Sequence, residues 1–351
     1  EHSHLHTAYV NALCWEIKER GEKISQNVDT VYIGGGTPTA LPSHLLLKII
    51  KQIKSSYNID HDAEFSIEAN PGTVTEESLF LLKQAGVNRI SIGVQSTNDE
   101  LLKLLGRIHC AAEAEEIIKQ AHKMGFENIN VDLMYDLPTQ KCYTWQETLN
   151  HAVQLPITHI SAYGLIIEEE TEFSRAFDNN TLSLPTDDEQ ECMYKLVNSY
   201  LPSEGYIRYE ISNYAKNGFV CRHNLKYWQY EPYIGMGLAA HSFNDNVRTA
   251  NISDINEYIK VINKNEIPTG ITEKLSQIQL MSEFCFLALR TIDGINITKF
   301  ENKFNTDFMK TYEKQVTDLK GCGLLNIVDN HARLTEKGLK FGNRAFAAFV
   351  V

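Results

Sequence analysis

Three adjacent glycines, Gly34-Gly35-Gly36, follow the apolar run Val31-Tyr32-Ile33 and lead into Thr37-Pro38-Thr39. Glycines at the carboxyl end of a strand leave the backbone bare, so its carbonyls can accept from an ammonium and its amides can donate to a carboxylate. The segment is neither a phosphate loop, since no Gly-Lys-Ser/Thr follows, nor a dinucleotide fingerprint, since the glycines are contiguous. Carboxylates recur inside three other apolar segments, as Glu68, Asp132 and Glu210. In a partly closed cavity an unpaired carboxylate is costly, so these residues call for cationic or hydroxyl-rich partners. The seven cysteines (Cys14, Cys110, Cys142, Cys192, Cys221, Cys285, Cys322) are scattered, with no two at the spacing of a metal knuckle. Most are expected to be ordinary buried thiols.

The elements that must carry these residues repeat. A helix closes on Gly86, Gly125 or Gly205, and a short strand begins a few residues later, at Arg89, Ile129 or Tyr206. The intervening segments are helical by spacing: Leu45, Leu46, Ile49, Ile50 and Ile53 share one face. Thr73 and Glu76 are spaced as a capping box ahead of Leu79 to Leu82. Strand and helix in alternation imply parallel strands. Parallel strands covered on both faces read as continuous apolar runs. These alternate instead: Phe65, Ile67 and Ala69 interleave with Ser66, Glu68 and Asn70, and Ile129, Val131 and Leu133 with Asn130 and Asp132. An α/β fold is therefore predicted, an incomplete TIM-type parallel barrel whose concave polar face holds water or a polar ligand.

Six segments occur in order: Gly34-Gly35-Gly36-Thr37-Pro38, Glu68-Ala69-Asn70-Pro71, Ser91-Ile92-Gly93-Val94-Gln95-Ser96, Leu105-Gly106-Arg107, Asn130 to Pro138, and Tyr209 to Ala215. Together they resemble the radical S-adenosylmethionine (SAM) proteins related to oxygen-independent coproporphyrinogen III oxidase, over nearly the whole chain. The resemblance implies a radical SAM partial barrel and places the cofactor SAM against Gly34, Gly35, Gly36, Thr37, Glu68, Gln95, Arg107 and Asp132. A zwitterion with ribose hydroxyls suits a cavity lined by carboxylate, amide and guanidinium, and Arg107 suits the cofactor carboxylate. A second motif selects a branch. Arg222-His223-Asn224-Leu225-Lys226-Tyr227-Trp228 resembles the His-Asn-x-x-Tyr-Trp signature of HemW-type proteins, described as haem chaperones. It implies haem binding by His223, Tyr227 and Trp228, the imidazole as axial ligand and the rings as flat apolar surface. His241 is an alternative iron ligand, and the glycines of Gly235-Met236-Gly237 suggest close backbone packing beneath the site. The family holds a [4Fe-4S] cluster through a Cys-xxx-Cys-xx-Cys loop, and nothing here matches it. The cluster is an expectation for a longer parent protein, and the barrel's first strand and that loop are expected to lie outside these residues.

The remaining organisation is coarser. The barrel is predicted over 1–215, a connecting segment with the His-Asn-x-x-Tyr-Trp motif over 216–270, and a winged-helix-like domain over 271–351. That last domain rests on three helices and a hairpin turning at Asp329-Asn330, with a final helix capped by Thr335. Lys+Arg 33 against Asp+Glu 45 gives a net charge of −12, which disfavours a grip on nucleic acid. No apolar run reaches the roughly 20 residues of a membrane span, and Glu1-His2-Ser3-His4 opens no signal peptide. A cytoplasmic address is expected. The reading is a protein of haem and porphyrin metabolism that binds haem and delivers it to a recipient protein, with an electron donor as a further partner. The alternative is an oxygen-independent coproporphyrinogen III oxidase that decarboxylates propionates through a 5′-deoxyadenosyl radical. A more distant alternative is a non-redox partial barrel binding a polar metabolite.

Overall fold

The computed structural model describes residues 3–179 and 182–350; residues 1–2, 180–181 and 351 lie outside it. Its principal sheet has seven strands in the order β1 (Val28–Ile33), β2 (Ile59–Ala69), β3 (Arg89–Gln95), β4 (Asn128–Tyr135), β5 (His159–Gly164), β7 (Asn213–Ala215), β6 (Ile207–Arg208). β1 to β5 pair in parallel, as the crossovers require. The helices of this half are α1 (His6–Gly21), α2 (Ser43–Ser56), α3 (Glu76–Gln84), α4 (Asp99–Leu104), α5 (Ala111–Lys123), α6 (Cys142–Val153), α7 (Glu172–Asp178) and α8 (Asp187–Ser203). Helix α2 buries the predicted stripe Leu45, Leu46, Ile49, Ile50 and Ile53. Together with Ile67, Ile90, Ile129 and Ile160 from the outer face of the sheet, it forms one continuous apolar core.

Four local expectations are corrected. The segment from Tyr206 supplies only the two-residue β6, which is antiparallel to β7, and β7 is antiparallel to β5. The sheet is thus parallel up to β5 and closes on an antiparallel edge. Helix α3 is capped by Thr75, whose side chain exchanges hydrogen bonds with Ser78, not by Thr73 and Glu76. Cys142 at the start of α6 and Cys192 in α8 form a disulfide, so they are not free thiols. The polar inner face is also less wet than predicted. Glu64, Ser66, Arg89, Asn130 and His159, on its amino-terminal half, are all buried.

Tyr209 reaches His159, while helix α9 (Arg222–Trp228) packs beside β1 and covers Glu64. Beyond it, β8 (His241–Asn244), β9 (Val247–Asn251) and β10 (Thr269–Lys274) form an antiparallel sheet, flanked by α10 (Ile255–Ile262). Gly235-Met236-Gly237 threads between this sheet and α1. A Cβ on Gly235 would stand 2.0 Å from the His241 carbonyl, and the Gly237 amide donates to Glu16 at 2.9 Å. The close packing expected of those glycines is present. The last part comprises α11 (Gln277–Ala288), β11 (Ile295–Asn296), α12 (Ile297–Phe304), α13 (Phe308–Thr311), α14 (Glu313–Gly321), β12 (Leu325–Val328), β13 (His331–Leu334), α15 (Glu336–Lys340) and α16 (Gly342–Ala347). Its three-stranded sheet and helices enclose a second, aromatic-rich core that includes Phe284, Phe300 and Phe308. Thr335 caps α15 as predicted. Helices plus a winged hairpin give the expected architecture.

Candidate functional site

The residues expected to meet SAM come from the carboxyl ends of β1 to β3, from β4 and, for Arg107, from the loop after α4. The Gly34-Gly35-Gly36 run leaves β1 exposed, with Gly35 at φ 84° and Gly36 at φ 76°, a region that side chains disfavour. Gly34 is constrained by space instead, since a Cβ there would lie 2.6 Å from the Tyr32 ring and 2.9 Å from the Glu68 carboxyl. Glu68 in turn accepts from Tyr32 Oη at 2.8 Å and from the Gly35 amide at 3.2 Å. Asn70 ties two more predicted residues together, donating to Thr37 Oγ1 at 2.9 Å and accepting from Arg107 Nη1 at 3.5 Å. Gln95, at φ 68° and 4% exposed, accepts from Tyr163 Oη at 3.0 Å. Asp132 accepts from Asn130 Nδ2 at 2.8 Å and Ser91 Oγ at 3.5 Å. Burial holds the Asp132 carboxyl above its ordinary range, against the lowering effects of Ser161, Asn130, Arg89 and Ser91.

A second level lies deeper, toward the amino ends of the strands. Helix α9 begins on Glu64, whose Oε2 accepts from the Arg222 amide at 2.9 Å and whose Oε1 accepts from the His223 amide at 3.0 Å. A carboxylate at a helix amino terminus satisfies orphan amides and complements the helix dipole. That anchor fixes the imidazole. His223 stacks on Tyr32 at 5.2 Å between centroids, with Nδ1 2.9 Å from Thr30 Oγ1 and Nε2 2.9 Å from Tyr227 Oη. Burial pushes its pKa down to about 4, opposed by Glu64, so the ring is neutral at pH 7. Tyr227 meets Tyr233 edge-on at 4.6 Å, and Arg290 lies over Trp228 at 4.5 Å. His241 is exposed at the start of β8 and lies outside this cluster.

The structure therefore brings the predicted residues together in two sets, with Tyr32 between them: its hydroxyl serves Glu68 and its ring serves His223. Reasoning from residues missed Tyr32, Tyr163 and Glu64 as members. Glu64 and Tyr163 carried a signal, being polar positions on alternating strands. Among the described residues no three His, Cys, Asp or Glu side chains form a metal-binding group, and the sequence holds no Cys-xxx-Cys-xx-Cys loop. The residues present therefore do not fit a [4Fe-4S] cluster. They do fit SAM, because the bare glycine turn, the Glu68 and Asp132 carboxylates and the Arg107 guanidinium match its ammonium, hydroxyls and carboxylate.

Comparison with known proteins decides the family. Residues 15–152 match the radical SAM superfamily and residues 275–341 match the HemN C-terminal domain. The protein named heme chaperone HemW of Bacillus subtilis is 36% identical over 344 residues, which is 97% of this chain and 91% of that protein. Its namesake in Lactococcus lactis is 35% identical over 98% of this chain and 89% of its own length. The chain belongs to the HemW family of radical SAM proteins. The coproporphyrinogen III oxidase HemN of Escherichia coli shares its fold, with a TM-score of 0.86 over 99% of this chain and 84% of the other, at 21% identity. SAM and a [4Fe-4S] cluster are the cofactors of the superfamily to which the HemW family belongs. No helix of the described residues is long and apolar enough to cross a membrane.

Proposed function

We propose that this chain carries haem in the cytoplasm and delivers it to a recipient protein, with SAM bound at the carboxyl ends of the strands and haem at α9. The observation that supports this most is the His-Asn-x-x-Tyr-Trp segment itself. It forms a helix with no fully buried residue, anchored by Glu64 and presenting a neutral imidazole amid aromatic rings. A neutral imidazole keeps its lone pair at pH 7 and is a ready axial ligand. Coordination through Nε2 requires Tyr227 Oη to give up its 2.9 Å contact, so Tyr227 acts as a stopper that haem displaces.

At the other level Glu68 receives the ammonium of SAM, Arg107 its carboxylate, Asp132 the ribose hydroxyls, and the Gly34–Gly36 backbone the methionine chain. Gln95, held by Tyr163, offers its amide to the same ligand. The residues here only bind and orient it, and their roles require no cluster.

Titration of the purified chain with haem, followed at the Soret band, tests the reading. A saturable shift that weakens at least about tenfold in His223→Ala is expected. Equal binding by both proteins removes His223 from the role, and absence of a shift in the parent chain removes haem itself.

A further inference from the structure

Arg290 follows α11, and its guanidinium carbon lies 4.5 Å from the centre of the Trp228 ring and 5.7 Å from that of Phe346. Neither side chain has an acceptor. Arg290 Nε and Trp228 Nε1 are both buried with no hydrogen-bond partner, and among the described residues the guanidinium forms no ion pair. Glu210 is the carboxylate whose charge acts on it. Its Oε1 is already committed to the Ser212 amide at 2.8 Å and to Asn213 Nδ2 at 2.6 Å. A partly buried guanidinium that feels the charge of Glu210 but receives no hydrogen bond from it is poorly satisfied, and so is an indole N–H without an acceptor. The two defects coincide at one place, where the last residue of α9 meets the carboxy-terminal core.

A planar anion with two acceptor atoms relieves both at once, since one oxygen can accept from the guanidinium and the other from the indole. Arginine favours carboxylate over a spherical anion for the same reason. We propose that Arg290 and Trp228 form a carboxylate-binding site, and that the carboxylate is a side-chain propionate of the tetrapyrrole cargo. The cargo's identity rests on the haem reading above; the carboxylate site does not. Trp228 ends the same short helix that carries His223. The same site couples the two halves of the molecule, because a ligand seated on α9 would be held in part by a residue of the carboxy-terminal core.

The test uses metal-free deuteroporphyrin IX and its dimethyl ester, titrated by fluorescence into the whole chain, so that iron ligation does not enter. Charge-assisted hydrogen bonds predict that the diacid binds about 10- to 100-fold more tightly than the ester. In Arg290→Gln that preference should fall to within about threefold, while Trp228→Phe, which keeps the ring and loses the N–H, should lie between. If Arg290→Gln fails to fold by thermal melting, the acid-to-ester ratio of the parent chain and of Trp228→Phe still decides. Equal affinity for acid and ester, a ratio unaltered by either substitution, or no binding of the diacid overturns the proposal. An Arg290-dependent ratio without a Soret response to haem upholds the carboxylate site and overturns the haem reading instead.

Discussion

At the scale of single residues, the account turns on how burial sets protonation. His223 falls from its ordinary 6.5 to about 4, chiefly through desolvation. Between those two values the unfolded chain binds the proton and the folded chain does not, so this residue's contribution to stability is present above pH 6.5 and is lost as pH falls toward 4. At full effect the loss is on the order of 3 kcal/mol. Asp136 acts oppositely in part of that window, because burial raises it to about 6 and the folded state then holds its proton more tightly. The measurable quantity is therefore the difference in urea-unfolding free energy between the parent chain and His223→Gln, followed from pH 7 to pH 4. It should shrink steadily as pH falls; a difference independent of pH would mean the imidazole is not desolvated. A second prediction concerns Glu64. Truncation to Ala leaves the amides of Arg222 and His223 without their acceptor, and should cost about 2–4 kcal/mol in chemical denaturation. Glu64→Gln keeps an acceptor for only one of the two amides, so it should cost less than the alanine change but still about half of it. Equal costs would show that the carboxylate's charge, not its hydrogen bonding, anchors α9.

At the scale of elements, the sheet and its strand ends follow from alternation and from the helix-closing glycines, which is why β1 to β5 were legible from residues alone. What escaped that reasoning is what packs against the inner face. Ser66, Asn130 and His159 read as a wet surface, because a polar residue buried by a segment distant in sequence, as His159 is by Tyr209, looks the same in sequence as one facing water. The two-residue β6 escaped for a related reason: Ile207, Tyr209 and Ile211 alternate like a strand, yet Arg208 turns back to the Glu210 carbonyl at 3.2 Å and the pairing ends there. The disulfide between α6 and α8 was invisible because its cysteines are 50 residues apart. It has a direct check. Thiol titration of the denatured, unreduced protein should find five free groups, Cys14, Cys110, Cys221, Cys285 and Cys322, rising to the full seven after reduction. Cys142→Ser with Cys192→Ser should lower stability by about 2–4 kcal/mol; seven free thiols before reduction would contradict the pairing. At the glycine turn, Gly35→Ala forces a side chain to φ 84° and should cost about 1–2 kcal/mol, together with a measurable loss of SAM affinity by calorimetry. An unchanged affinity would place the ligand away from the turn.

At the scale of the whole molecule, two apolar cores meet where the loop between β6 and β7 touches the end of α11. There Glu210 bridges to Thr291, and the Tyr209 carbonyl accepts from the Ile292 amide at 3.1 Å. Helix α9 stands between those cores, so the motif that resembles a haem-chaperone signature is supported by Glu64 of the sheet on one side and by Arg290 of the carboxy-terminal part on the other. No local pattern could announce that arrangement, since Arg290 reads as an ordinary residue after a helix until its neighbour is known. The account predicts one molecule with two ligand levels joined by Tyr32, SAM above and haem below. A crystal structure of the haem-loaded chain tests this most directly. The iron should be bound by Nε2 of His223, with Tyr227 Oη displaced and the Glu64 anchor intact. Haem located elsewhere, with the His223 to Tyr227 hydrogen bond unbroken, would contradict it.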